Sequence, residues 1–212
     1  MTKEILISPK ELYYLGSMLQ ASYIDYAYVA AMEDIGNNYE LFEKETAAQL
    51  VKKGILIEDF SGNMQVSDVA LALLKPIFFG TVETALDVCS LGEKSQVDVS
   101  KYHFHEGQIT SVHGKGENLF ICEGSLTVIR EKVETIVRED YSCKATEKVA
   151  AIKQEDVTRF VSVKSLDYGN KAVVKVYVEA NDVMCQELED GTVESLTRDM
   201  FVEAVYDVLK GV

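Results

Sequence analysis

Two histidines stand two residues apart in the sequence YHFHEG, at His103 and His105. Side chains two positions apart on a β-strand point to the same face of a sheet, so this spacing could begin a two-histidine metal site. A complete site needs a third ligand and an open position, and the remaining histidine, His113, lies across a turn of undefined register. The alternative is a pair of histidines on the solvated side of a sheet, with Tyr102 and Phe104 packed inward. We therefore predict that the protein has no metal site. If it has one, His103 and His105 are the candidate ligands.

The nucleophiles and glycine-rich segments of the sequence carry no other catalytic signature. The chain has no GxSxG elbow, and its segment VHGKGEN lacks the GK[ST] ending of a phosphate-binding loop, so we read it as a hairpin turn. The four cysteines are far apart with no CxxC pair, which indicates reduced thiols in the core: Cys89, Cys122, Cys143 and Cys185. We predict that the protein is not an enzyme and binds no cofactor.

The composition is that of a globular, acidic chain. Its 212 residues include 35 acidic and 21 basic side chains, for a formal net charge of -14, and 47% are hydrophobic. A negative surface repels the phosphate backbone of nucleic acids. No apolar run approaches the roughly 18 residues that a membrane span needs, and the N-terminus does not resemble a signal peptide. We expect a cytosolic protein that binds no nucleic acid.

The N-terminal segment predicts a short strand followed by a capped helix. Ile5, Leu6 and Ile7 form the strand, and the sequence SPKE after them has the residues of a capping box, with proline at the first helical position. Residues 23–33 suit a short helix or an extended segment, and we assign them as helix. Residues 39–52 then form an amphipathic helix that Gly54 terminates.

Residues 40–79 have the outline of a winged helix, with a helix, a strand, a Gly-Asn turn, a second strand and a second helix that Pro76 ends or kinks. A DNA-binding wing is basic, whereas this wing, IEDFSGNM, is acidic, as is much of the first helix. The unit therefore predicts a scaffold for packing or protein binding. An acidic winged-helix transcriptional regulator, or another protein-interaction module, is the alternative.

From residue 81 the hydrophobic period changes from that of helices to that of strands. A meander of antiparallel strands is predicted, then a helix capped by Ser125, a second helix within residues 144–156, further hairpins, and a closing helix capped by Thr197. We predict one α+β domain over residues 1–212, in which an antiparallel sheet is flanked by helical lobes. Residues 1–80 form a winged-helix-like lobe, residues 81–212 the sheet with its helices, and the two halves repeat loosely.

Several of these segments carry a resemblance to a known family. ISPKELYYL, then LVKKGIL, DFSGNMQVS and LLKPIF, then strands through LDVCS and YHFHEGQIT resemble the EspG-like family of type VII secretion chaperones. The matching positions lie chiefly within residues 5–90, and the later strands and final helix agree in order. The short chain and its Lys- and Tyr-rich, low-proline composition are similar to the EsaE-like accessory proteins of Firmicute type VII loci.

The resemblance implies a cytosolic chaperone without catalytic groups. EspG proteins bind the helical tip of a PE-PPE pair, so a small helical secreted protein of the WXG or LXG type is the implied partner. By its position between two long strands, the implied contact loop is residues 92–96, and a nearby tyrosine could anchor the partner because tyrosine is enriched at interfaces. The partner-binding candidates are Gly92, Glu93, Lys94, Ser95, Gln96 and Tyr102.

Overall fold

The computed structural model describes residues 3–30, 32, 35, 38–92, 95–138, 141, 148–149, 152–168, 171–188 and 192–211. These residues form six α-helices and twelve strands, ten of which belong to one sheet in the order β1-β7-β6-β5-β4-β9-β10-β11-β12-β8. Every pair whose register is defined is antiparallel. The predicted α+β class, built on a large antiparallel sheet, is confirmed.

The elements follow one another along the chain as β1 (Glu4–Ile7), α1 (Pro9–Met18), α2 (Tyr26–Val29), α3 (Tyr39–Lys52), β2 (Leu56–Glu58), β3 (Met64–Val66), α4 (Asp68–Phe79), β4 (Val82–Ser90), β5 (Gln96–His105), β6 (Gln108–Lys115), β7 (Asn118–Gly124), α5 (Leu126–Glu134), β8 (Lys148–Val149), β9 (Val157–Asp167), β10 (Lys171–Ala180), β11 (Val183–Glu187), β12 (Val193–Ser195) and α6 (Arg198–Leu209). A single 3₁₀ turn, Gln154–Asp156, precedes β9.

The chain divides into two compact units, neither of which is continuous in sequence. The first comprises Met1–Gly80 and His103–Glu123, and the second comprises Thr81–Tyr102 and Gly124–Val212. Strand β5 contributes residues to both. One boundary between the units falls after Gly80, and the first unit includes sheet strands from His103–Glu123. The assignment of the whole chain to one domain stays a prediction.

The first unit begins with the predicted capping box. Ser8 caps α1 by accepting a hydrogen bond from the Glu11 N–H at 3.2 Å, and the Glu11 carboxylate accepts one from the Ser8 N–H at 2.7 Å. Lys53, at the end of α3, donates to the same Glu11 oxygen at 2.7 Å. Glu11 is only 1% exposed, so this ion pair joins two helices at a buried carboxylate. A core of aliphatic residues from α1, α3, α4 and strands β1 and β7 packs beside it.

Residues 40–79 form the predicted order of helix, strand, turn, strand and helix. The prediction that Pro76 ends or kinks the second helix is corrected in one respect, because α4 continues past it to Phe79. Pro76 lacks only its own N–H, and its carbonyl still accepts a hydrogen bond from the Gly80 N–H at 3.0 Å. Gly80 is required there, since a Cβ would overlap the carbonyl oxygens of Pro76 and Phe104.

Two helix predictions are wrong or incomplete. Within residues 144–156, Lys148–Val149 forms strand β8, which pairs with β12, and Gln154–Asp156 forms a 3₁₀ turn. Pairing with a neighbouring strand overrides helix propensity there. Within residues 23–33 the helix is only the four residues of α2. Residues 31, 33, 34, 142–147, 150 and 151 lie outside the described part of the chain.

In the second unit, helices cover one face of the sheet. Helix α6 packs on β4 and β9, and its Phe201 ring meets the Tyr177 ring of β10 edge-on at 5.1 Å between centroids. Val161 and Val163 of β9 are fully buried on that face. The Thr84 hydroxyl of β4 donates to the Leu209 carbonyl at 3.0 Å and so holds the last turn of the helix. The predicted Thr197 cap of α6 is confirmed, since its hydroxyl accepts from the Met200 N–H.

Candidate partner-binding site

The loop between β4 and β5 is the predicted contact loop, and the structure describes only part of it. Leu91 anchors its start by donating to the Thr158 carbonyl at 2.8 Å. The Ser95 hydroxyl donates to the Gly92 carbonyl at 3.3 Å. Gly92 has φ 140°, in the region that favours glycine. Glu93 and Lys94 lie outside the described residues.

Apolar side chains flank this loop on both sides. Leu91 precedes it and Val97 follows it, and they are 41% and 62% exposed. Exposed apolar side chains next to a turn are candidates for partner contact. Sequence reasoning did not single them out, although the apolar residues before and after the polar run GEKSQ were the available signal.

The expectation that Tyr102 contacts a partner does not agree with its burial. Tyr102 lies near the end of β5 and is only 1% exposed. The alternation of side chains along β5 explains this, because Ser100 and Tyr102 share one buried face while Val97 and Val99 share the exposed one. The candidate surface therefore omits Tyr102 and includes Leu91 and Val97.

A charged cluster lies on the face of the second unit's sheet that is opposite α6. The Lys101 ammonium contacts the buried Glu83 carboxylate at 2.9 Å, and the Tyr168 hydroxyl donates to the other Glu83 oxygen at 2.9 Å. Burial raises the pKa of Asp87, while the neighbouring Lys101 and Lys164 oppose this increase. The cluster holds acidic and basic groups in equal number, unlike the chain as a whole.

Beyond that cluster the same sheet face is apolar. Register places Val174 opposite Lys164, Val176 opposite Ser162 and Val178 opposite Phe160, so all six side chains share a face. Val174 is 57% exposed and Val176 is 50% exposed. The sequence signal was present, because KAVVKVYVEA is apolar at positions of both faces and not at alternate ones alone.

The histidines occupy different environments, which corrects the solvated-pair interpretation. His103 is 2% exposed, and its Nε2 lies 2.6 Å from the hydroxyl of Tyr28, which is also buried. His105 is partly exposed and lies 3.8 Å from the Glu106 carboxylate. Burial of His103 fits a structural role, in which each polar group satisfies the other. Within the described part of the chain, no three His, Cys, Asp or Glu side chains come together to hold a metal ion.

The turn between β2 and β3 displays a fully exposed aromatic ring, Phe60. The Asp59 carboxylate accepts hydrogen bonds from the N–H groups of Ser61 and Asn63, at 2.8 and 2.9 Å, and from the Asn63 side chain. The hydrogen bonds from Asn63 hold the pKa of Asp59 below its usual range. The acidic wing is thus an ordered turn, and its charge does not suit a DNA groove.

No helix within the described ranges is both long and apolar enough to cross a bilayer. No protein-family model and no curated protein sequence matches the chain.

The arrangement of helices on a large antiparallel sheet is an EspG-like α+β fold. A solved structure with this fold is the type VII secretion system chaperone EspG5 of Mycobacterium tuberculosis, determined in complex with the PE25-PPE41 dimer. The similarity covers 97% of this chain and 96% of EspG5, with a TM-score of 0.63 and 10% sequence identity. At that identity the comparison shows the fold.

Proposed function

We propose that the protein is a cytosolic chaperone or accessory protein that binds a helical substrate of a type VII secretion system and masks its apolar tip. The observation that carries the proposal is the fold similarity to EspG5, which extends over nearly the full length of both chains. A similarity that covers nearly all of both chains is not due to one common motif.

The proposed partner is a small helical secreted protein of the WXG or LXG type, in a role like that of the PE-PPE pair that EspG5 binds. The branch of the family that we propose is the EsaE-like one. The chemistry of the surface is compatible with this partner, because a helical tip presents apolar side chains that need an apolar cover. No catalytic group takes part, so we propose that the protein is not an enzyme.

The contact surface that we propose is the β4–β5 loop with the apolar residues on either side. Leu91 and Val97 supply exposed apolar area, and the exposed residues Gly92, Ser95 and Gln96 between them supply polar groups at its edge. The backbone hydrogen bond from Leu91 to Thr158 fixes the start of the loop. A loop that is held at its start loses less conformational entropy on binding than one that is free at both ends, which favours affinity.

The experiment is co-expression with WXG-type and LXG-type proteins encoded beside the gene, followed by a binding measurement on the purified components. Val97→Asp is expected to weaken binding by about tenfold or more, since it places a charge at an apolar contact. Val69→Asp is the matched control, because Val69 is an exposed valine on α4 and belongs to the first unit. The control is expected to bind like the wild type.

The outcomes distinguish the surface from the function. If a helical partner binds and Val97→Asp binds equally well, the function stands and the proposed surface is wrong. If no helical protein of the locus binds the wild-type chain, the chaperone proposal itself is refuted. Far-UV circular dichroism of each variant establishes that the fold is intact.

A further inference from the structure

In the described part of the second unit, helix α6 packs on one face of the sheet. Strands β5, β4, β9 and β10 lie side by side, and α6 covers the face that carries Val161, Val163 and Tyr177. We call the opposite side the open face and define it by Asp87, Val99, Phe160, Lys164, Val174 and Val176. Four of these six side chains are exposed and apolar: Val99, Phe160, Val174 and Val176.

The open face combines exposed apolar side chains with charged ones. Four strands about 4.8 Å apart and roughly seven residues long, at about 3.3 Å per residue, cover roughly 400 Å². Val99, Phe160, Val174 and Val176 occupy part of that area, and the largest apolar patch of a monomeric protein is often functional. A sheet that is apolar on both faces is also the pattern of a strand layer with a second layer on each side.

The charges of the open face indicate which partner fits it. Lys164 lies diagonal to Asp87 across the β4–β9 pair, because Lys164 is opposite Ala85 and Asp87 is opposite Ser162. Lys164 and Asp87 attract each other within one chain, and a two-fold axis between them also brings Lys164 of each copy to Asp87 of the other.

We propose that the open face is a homodimer interface, in which the sheets of two copies pack face to face around a two-fold axis. This inference does not depend on the proposed function, although Val99 of the open face lies two residues from Val97 on the same side of β5. Two faces of roughly 400 Å² bury roughly 800 Å² as flat area, which is below the roughly 1,200 Å² of a stable specific interface. The dimer is therefore weak and reversible, and dilution dissociates it.

The effect of salt on binding distinguishes a second copy of this chain from a basic partner protein. Two chains of net charge -14 repel each other, and added salt screens that repulsion. The Lys164–Asp87 contacts are partly buried in the dimer and are screened less. Dimerisation therefore strengthens as the ionic strength rises. A basic protein drawn to the negative chain would bind more weakly under the same change.

The experiment is sedimentation equilibrium of the full chain over a dilution series at low and high salt. The expected result is a mass that rises toward twice the chain mass with concentration, more readily at high salt. Val176→Lys is expected to weaken dimerisation by about a hundredfold, because the two-fold axis presents each substitution twice, at about tenfold each. Val69→Lys is the matched control on α4, with similar exposure and the same charge change, and is expected to dimerise like the wild type or slightly better.

A charge reversal tests the pairing directly. Lys164→Glu is expected to weaken the dimer, and the double variant Lys164→Glu with Asp87→Lys is expected to restore it, because each reversed group then meets its complement. Lys75→Glu, at an exposed position of α4, controls for the change in net charge. Circular dichroism and thermal unfolding of every variant separate a lost interface from a lost fold.

Three results would overturn the proposal. The first is a wild-type chain that stays monomeric at every concentration and salt level. The second is a dimer that Val176→Lys leaves unchanged, which would place the interface elsewhere. The third is loss of binding to a helical partner on Val176→Lys without any change in self-association, which would assign the open face to that partner.

Discussion

The buried ion pair between Glu11 and Lys53 gives the sharpest prediction of stability. One Glu11 oxygen accepts from the Ser8 N–H and from the Lys53 ammonium, each at 2.7 Å, and the other oxygen is buried without a hydrogen-bond partner. Replacing Lys53 by Met removes the counter-charge but keeps the aliphatic stem. The Glu11 carboxylate then remains buried at 1% exposure with a single donor.

The expected cost follows from the burial of the two partners. Removing one member of a fully buried pair costs about 3–5 kcal/mol, because the remaining charge is uncompensated. The Lys53 side chain is 39% exposed, so water already reaches the ammonium and can replace part of its effect on Glu11. We therefore expect Lys53→Met to lower the free energy of unfolding by about 2 kcal/mol, below that range.

The assay is urea-induced unfolding followed by far-UV circular dichroism, with the free energy taken from the midpoint at unchanged slope. Lys52→Met is the matched control, since the adjacent exposed lysine carries the same charge at the same helix end. Its expected cost is about 0.5 kcal/mol. In a Glu11→Gln background, Lys53→Met is expected to cost less than about 1 kcal/mol, because no carboxylate remains to be compensated. Equal costs of Lys53→Met in the two backgrounds would refute the reasoning, as would equal costs of Lys53→Met and Lys52→Met.

Three further predictions concern other parts of the chain. Tyr28→Phe removes the hydroxyl beside the buried His103 and is expected to cost about 1–3 kcal/mol in urea unfolding; a change within error would mean that the hydrogen bond contributes nothing net. Gly80→Ala is expected to cost about 1–3 kcal/mol through overpacking, whereas Gly114→Ala, where a Cβ meets open space, is expected to stay within about 0.5 kcal/mol. In gel-shift titrations at low salt, the acidic chain is expected to show no sequence-specific DNA binding, and tight binding would favour the winged-helix regulator instead.

Local signals in the sequence predicted local structure well. The capping box at Ser8 and Glu11 and the cap at Thr197 depend on residues within three positions of each other, and both are confirmed by hydrogen bonds. The order of strands from β4 to β7 followed from the period of two. These signals sufficed because capping hydrogen bonds and the alternation of side chains depend on residues within one helical turn or one strand.

The features that the sequence did not predict depend on contacts between residues far apart in the chain. Lys148–Val149 is a strand because β12, more than forty residues later, pairs with it. The buried imidazole of His103 has its hydrogen-bond partner in the hydroxyl of Tyr28, which lies seventy-five positions earlier in the chain. The apolar surface at Leu91 and Val97 could be predicted only once the direction of each strand face was known. A pattern within one segment does not contain that information.

Helix α6, whose last turn is held by the hydrogen bond from Thr84 to the Leu209 carbonyl, is the last element of its unit to be synthesised. Helix α6 follows every strand of its unit in the chain, so the sheet face that carries Val161 and Val163 is uncovered until residues 198–209 have been synthesised. During synthesis the partly formed unit therefore exposes apolar residues on both faces of its sheet. Exposed strands of that kind aggregate readily, and a stop codon before residue 198 would leave them exposed permanently.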